Sequence, residues 1–191
     1  MLLRQSPRAG FTLLEMLIVV VVISILAAIV IPQMSSASDN AKIGKVLQIM
    51  DSVRTAAQAH YADTNRLARE FSNSKADAER QLSVTQTTPN WKGPYLTHPL
   101  TDGDNPYGGI IRLYDDFNAG PVTPVGFDLV GRGSDTATGA GQYLLLTEVP
   151  ESLGLEIDRQ IDRGIDGDWR VTGRCEWQNN ALLVFLMDAP G

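Results

Sequence analysis

Apolar residues dominate the chain from Phe11 to Ile31, and the only charge among them is Glu15. At ~1.5 Å rise per residue a helix over this stretch reaches ~30 Å, the thickness of a bilayer's hydrocarbon core. Beyond Pro32 the pattern changes period. Ile43, Val46, Leu47, Met50, Val53, Ala57 and Tyr61 recur every three or four positions, while Lys42, Lys45, Gln48, Asp51, Arg54 and Gln58 fill the other faces. That is an amphipathic helix continuing the apolar one. Pro32 is expected to bend or locally open the rod rather than end it. From Phe11 to Tyr61 the rod would measure roughly 75 Å. Asp63-Thr64-Asn65 is the expected stop.

After the stop, residues 66–82 alternate charges with Leu67, Phe71 and Leu82, which predicts a short helix inside a connecting loop. Gly, Pro, Asn and Asp then punctuate the chain through Gly141. Strand-like pieces lie at Ile110–Tyr114, Gly126–Val130 and Gln142–Thr147, spaced as in an antiparallel sheet. Leu153, Ile157 and Ile161 mark a second amphipathic helix from Leu153 to Arg163, with Gly164 as its C-cap. Ala181–Met187 reads as a buried closing strand. The expected fold class is α+β, a long N-terminal helix packed on a small antiparallel sheet.

Charge and cysteine narrow the function. The chain has 16 basic and 22 acidic residues, a formal −6. This balance disfavours nucleic acid as a partner, since phosphate binding needs clustered Lys and Arg. Arg4 and Arg8 precede the span on a very short segment, so the N-terminus is expected in the cytoplasm and the globular part outside. Lys42 and Lys45 weaken that bias but precede a large domain. Cys175 is the only cysteine, so no intrachain disulfide can form, and the domain must hold by burial, or by burial plus a metal. Cys175 itself is expected to be a small buried residue.

Catalytic signatures are weak. His60 and His98 have no metal-ligand spacing such as H-E-x-x-H, no G-x-S-x-G elbow occurs, and the loop Gly131–Gly141 lacks the Gly-Lys-Ser/Thr ending of a phosphate-cradling loop. The expectation is a protein that is not an enzyme.

Gly10 before Phe11-Thr12-Leu13-Leu14-Glu15, with Arg4 and Arg8 upstream and Pro32 closing the run, resembles the prepilin signature of type IV pilins and type II secretion pseudopilins. Three further phrases resemble the major pseudopilin of type II secretion, in the family's order. They are Trp91-Lys92-Gly93-Pro94-Tyr95-Leu96, Asp102-Gly103-Asp104-Asn105-Pro106-Tyr107, and Phe127-Asp128-Leu129-Val130 leading into Gly131-Arg132-Gly133-Ser134-Asp135.

The resemblance implies a leader over 1–10, cleavage by a prepilin peptidase between Gly10 and Phe11, and N-methylation of Phe11. It also implies a transmembrane part over 11–31, an amphipathic part over 32–62 and a globular domain over 63–191. Glu15 would assist assembly into a helical homo-oligomeric filament, with other pseudopilins and inner-membrane secretion proteins as partners. The expected location is the inner membrane, single-pass, with the globular domain in the periplasm.

Two alternatives stay open, a type IV pilin of a surface fibre and a membrane-tethered domain that never polymerises. A plain anchor would leave the Glu15 carboxylate without a partner, which disfavours the second. Calcium is the one cofactor in question. Asp135 matches the family's first calcium ligand, but Thr136–Gln142 adds no acid, and calcium wants six to eight oxygens. No tight site is therefore expected; Asp135 is the residue to test, and Asp128 or a distant acid such as Asp104 could complete the shell only if the fold brings it near.

Overall fold

A computed structural model describes residues 11–129, 136–137, 141–163, 165 and 167–188. The chain divides between Asn40 and Ala41 into two compact units. Helix α1 (Leu13–Thr64) contributes to both, and its helical assignment runs through position 32. In the first unit the apolar side chains from Leu13 to Val30 are exposed on every face, the arrangement of a helix whose solvent is lipid.

The second unit is α+β. Its main sheet has five antiparallel strands in the order β1 (Glu70–Phe71), β2 (Ile111–Tyr114), β5 (Gly141–Thr147), β7 (Ala181–Asp188) and β6 (Cys175–Gln178). A separate ribbon pairs β3 (Phe127–Asp128) with β4 (Thr136–Ala137). Helix α2 (Glu151–Ile161) carries the chain from β5 towards β6.

Both faces of the sheet are covered, which is why β5 and β7 read as continuous apolar runs instead of alternating ones. On one face Leu144 and Leu146 of β5 and Leu182, Val184 and Leu186 of β7 cluster with Ile43, Val46, Met50, Val53 and Ala57 of α1. Ile157 of α2 and Cys175 join the same cluster. On the other face Tyr143 and Leu145 of β5 and Leu183 and Phe185 of β7 meet Phe71, Tyr114, Phe117 and Phe127. The rings pack mostly edge-on or tilted, as for Phe117 and Phe127 at 5.4 Å, an arrangement that aromatic quadrupoles favour.

Sequence expectations meet the structure unevenly. The strands at 110–114, 142–147 and 181–187 appear within a residue of their expected bounds. Cys175 is fully buried, as expected. Helix α2 starts two residues earlier than Leu153, after Pro150, whose fixed φ suits a helix entry. Gly164 lies outside the described residues.

The short helix expected over 66–82 is not there. Buried Glu70 accepts the Leu82 N–H at 2.9 Å and the Ser83 hydroxyl at 2.5 Å, while Arg69 N–H donates to Gln81 Oε1 and Gln81 N–H to Arg69 O. These bonds close the segment into a wide hairpin whose only helical turn is 3-10, Asp77–Glu79. A local charge pattern lost to a long-range buried acceptor.

The two phrases around Trp91 and Asn105 fasten loops to the core. Trp91 Nε1 donates to Gln81 O at 3.1 Å. Tyr95 Oη accepts the Lys92 N–H and donates to Asp63 Oδ2, both at 3.0 Å, while Lys92 Nζ sits 2.7 Å from Asp63 Oδ1. The Lys92 contact is the main reason that the Asp63 carboxyl lies below its ordinary value. Gly93 is required here, because a Cβ would collide with the Trp91 and Tyr95 rings. Buried Asn105 donates to Ile110 O at 3.1 Å and Thr147 O at 2.9 Å, tying its loop to the β2 and β5 ends.

Glu176 on β6 performs a similar service for the loop entering β3. Its two oxygens accept the N–H groups of Val125 (2.7 Å) and Gly126 (3.0 Å). Burial raises this carboxyl above its ordinary value of 4.5, with the two N–H groups pulling back. Glu176→Gln turns an NH2 towards one of those donors and should cost about 1–3 kcal/mol, read as a lower melting temperature. A group raised on folding contributes stability that is fully present below its unfolded value and lost as pH rises through the folded one. The gap between wild type and Glu176→Gln should thus be widest below the ordinary value of 4.5 and narrow as pH rises above it; a gap that widens with pH would contradict the assignment.

Candidate functional site

Helix α1 opens with a reciprocal cap. The Thr12 hydroxyl accepts the Glu15 N–H at 3.2 Å, and Glu15 Oε2 accepts the Thr12 N–H at 2.9 Å and the Thr12 hydroxyl at 2.8 Å. This is the S/T-x-x-E capping box, which satisfies donors that the first turn otherwise leaves open. A carboxylate in the first turn also suits the positive end of the helix dipole. The expectation that a plain anchor would leave Glu15 unpartnered is therefore corrected: the partner is three residues away in the same chain. The signal, Thr12-x-x-Glu15, was legible in the sequence.

Both Thr12 donors fall on Oε2. A carboxylate offers about four acceptor positions, so Oε1 retains capacity for a second donor. Phe11, immediately before the box, is 76% exposed. Next comes the one stretch among the described residues long and apolar enough to cross a membrane, Leu13–Val30, whose Ser24 hydroxyl is returned to Val20 O at 2.7 Å. Among the described residues of their unit, nothing packs over position 11 and the cap, which stand at the start of the span. Gly10, Arg4 and Arg8 lie outside the described residues.

The other expected site gains little. Asp135 lies outside the described residues. Asp104 Oδ2 is engaged by the Thr101 N–H and hydroxyl, each at 2.8 Å, in a second capping box. Asp128 is buried in the β3–β4 ribbon. Gln142, standing where an acid would help a metal, is fully buried and donates to Ala68 O at 2.7 Å.

Residues 5–31 match the family described as the prokaryotic N-terminal methylation motif. In this motif the chain resembles type IV pilin-like proteins. It is 29% identical over 139 residues to the Type II secretion system core protein G of Pseudomonas aeruginosa, covering 72% of this chain and 91% of that protein. To the Type II secretion system core protein G of Klebsiella michiganensis it is 28% identical over 142 residues, covering 71% and 89%. No solved structure matches. Both relatives are matched almost whole, while more than a quarter of this chain lies outside each alignment.

The cap makes a prediction of its own. Ser and Thr caps are worth about 1 kcal/mol, so Thr12→Val should speed amide exchange in the first turn of α1 roughly fivefold. Glu15→Gln, which can still close the box, should leave exchange near wild type. Hydrogen exchange on the full chain in detergent reads both; equal protection in Thr12→Val would show that the box holds nothing.

Proposed function

We propose that this chain is a pseudopilin subunit of a type II secretion system, polymerising into a periplasmic filament that assists the export of folded proteins. The single observation that carries the reading is likeness to core protein G over about nine tenths of that protein's length, and the N-terminal methylation motif agrees with it. A prepilin peptidase cuts between Gly10 and Phe11, and the new amine of Phe11 is N-methylated. The apolar part of α1 anchors the subunit in the inner membrane with the N-terminus cytoplasmic and the globular unit periplasmic. The role is structural rather than catalytic. Its partners are further copies, other pseudopilins and inner-membrane components of the secretion machine.

The chemistry of assembly follows from the cap. Cleavage creates a cation at Phe11, and Glu15 holds a carboxylate four residues on with Oε1 to spare. In a medium of low dielectric an unpaired charge is costly and an opposite pair is strongly favoured. A neighbouring subunit's amine is the donor that fits. Helix packing then buries the pair as the subunit enters the filament.

Three experiments test the reading. Intact-mass analysis of protein from the native host should give a chain beginning at Phe11 with one added methyl group. Gly10→Leu should keep the leader, and wild-type protein that keeps it would overturn the proposal. In the second, Glu15→Gln preserves the Thr12 box but removes the charge. It should insert normally and fail to form filaments in a cross-linking assay, as Glu15→Val should. Wild-type assembly by Glu15→Gln would reduce Glu15 to a helix cap. A deletion strain that still exports its folded cargo yet loses surface fibres would move the chain to the type IV pilins proper.

A further inference from the structure

Three potential metal ligands converge inside the globular unit, away from the calcium-loop residues considered from the sequence. Asp158 and Asp162 lie one turn apart at the C-terminal end of α2, and Cys175 opens β6. One ligand atom from each lies within 4.8 Å of the other two. Asp158 is 8% exposed, Asp162 7% and Cys175 0%. Among the described residues, the Oδ1 atoms of both aspartates are buried without a hydrogen-bond partner. Buried polar atoms are seldom left so. Asp162 Oδ2, by contrast, is fixed by the N–H groups of Arg174 (2.7 Å) and Cys175 (2.9 Å). Gly173 sits so close to this carboxylate that a Cβ there would strike it. The second carboxylate oxygen is thereby held in a set orientation, as outer-shell bonds orient ligands in metal sites.

We infer that Asp158, Asp162 and Cys175 form a binding site for a divalent cation of the zinc class, which staples α2 to β6.

The donor set chooses the ion. One sulfur and two carboxylate oxygens suit zinc, which takes S and O ligands in four-coordinate sites. Calcium and magnesium require more oxygens and reject thiolate. Binding exchanges the thiol proton for the metal: the S–H bond breaks, the S–Zn bond forms and the proton leaves to solvent. The staple also fits a domain that has no second cysteine for a disulfide. The competing occupant is a proton. Burial first, and the neighbouring Asp162 second, push the Asp158 carboxyl up to about 7, and a proton held between two carboxyls would satisfy both oxygens while leaving the sulfur out.

The test uses the full mature chain in detergent, stripped with a chelator and then given zinc alone. At a zinc concentration about 100 times Kd the melting temperature should rise by roughly 5–10 °C. Cobalt in place of zinc should give thiolate-to-cobalt charge-transfer absorption in the near ultraviolet. Cys175→Ala should abolish both signals. Asp158→Asn can still hydrogen-bond to Asp162 but supplies one carboxylate fewer, so it should fold and lose the zinc-dependent rise. If Cys175→Ala does not fold, Asp158→Asn and the cobalt spectrum of the wild type decide. The inference is overturned by a wild type without the rise or the band, by a rise that persists in Asp158→Asn, or by Asp158→Asn melting at or above wild type whether or not zinc is present. The last outcome would assign the site to a shared proton only.

Discussion

The pairing of β5 with β7 is the contact on which the rest of the globular unit depends. The two strands run side by side from Gly141↔Asp188 to Thr147↔Ala181, with Tyr143 opposite Phe185, Leu144 opposite Val184, Leu145 opposite Leu183 and Leu146 opposite Leu182. Side chains alternate faces along a strand, so this register sends Leu144, Leu146, Leu182 and Val184 towards α1 and Tyr143, Leu145, Leu183 and Phe185 towards the aromatic cluster. A slip of one residue on either strand would put rings among the aliphatic contacts of the helix. The irregularity between Gln142 and Tyr143 confines the mismatch to the strand end, where Gln142 can turn its amide to Ala68.

Around that pair the loops are held by buried acceptors instead of covalent links. Glu70 gathers the 82–83 turn, Asp162 the chain entering β6, and Glu176 the chain entering β3. Burial raises all three carboxyls above their ordinary values. Each is costly to desolvate, and each becomes worth that cost only when its N–H or O–H donors are in place. A protein with one cysteine can fix long connections this way, provided the central strands bury enough apolar surface to offset the cost.

What could be read from the sequence followed from repetition. The period of three and four through Ile43, Val46, Met50 and Val53, and the apolar run at Ala181–Leu186, each repeat a signal over several residues, and both elements appear where the pattern puts them. Elements of two to four residues carry no such repetition. Strand β1 has no local signal because Glu70, a charged residue with poor strand propensity, owes its place to Leu82 and Ser83. Strand β6 carries a legible mark at its end. Asn179 and Asn180 both adopt positive φ, 51° and 61°, between β6 and β7, as a two-residue hairpin of the twisted kind requires. Of the candidate assembly site, Phe11 and Glu15 stand out by composition and resemblance, and Thr12 by its place in the S/T-x-x-E pattern, although only the geometry shows that its N–H and hydroxyl fall on the same Glu15 oxygen.

The clasp of Asp63 by Lys92 and Tyr95 has a meaning for how α1 comes to an end. A helix terminus with its carbonyls exposed attracts cations, yet the last turn of α1 contains no basic residue and does contain an aspartate. Left to its own sequence, this end is electrostatically mismatched. The missing positive charge arrives from Lys92, nearly thirty residues further along, with the Tyr95 hydroxyl beside it. The boundary between helix and loop is thus a property of two segments meeting, written half in each. A change in the Trp91–Leu96 loop would be felt first at the end of the rod, by loosening a terminus that has no counter-charge of its own.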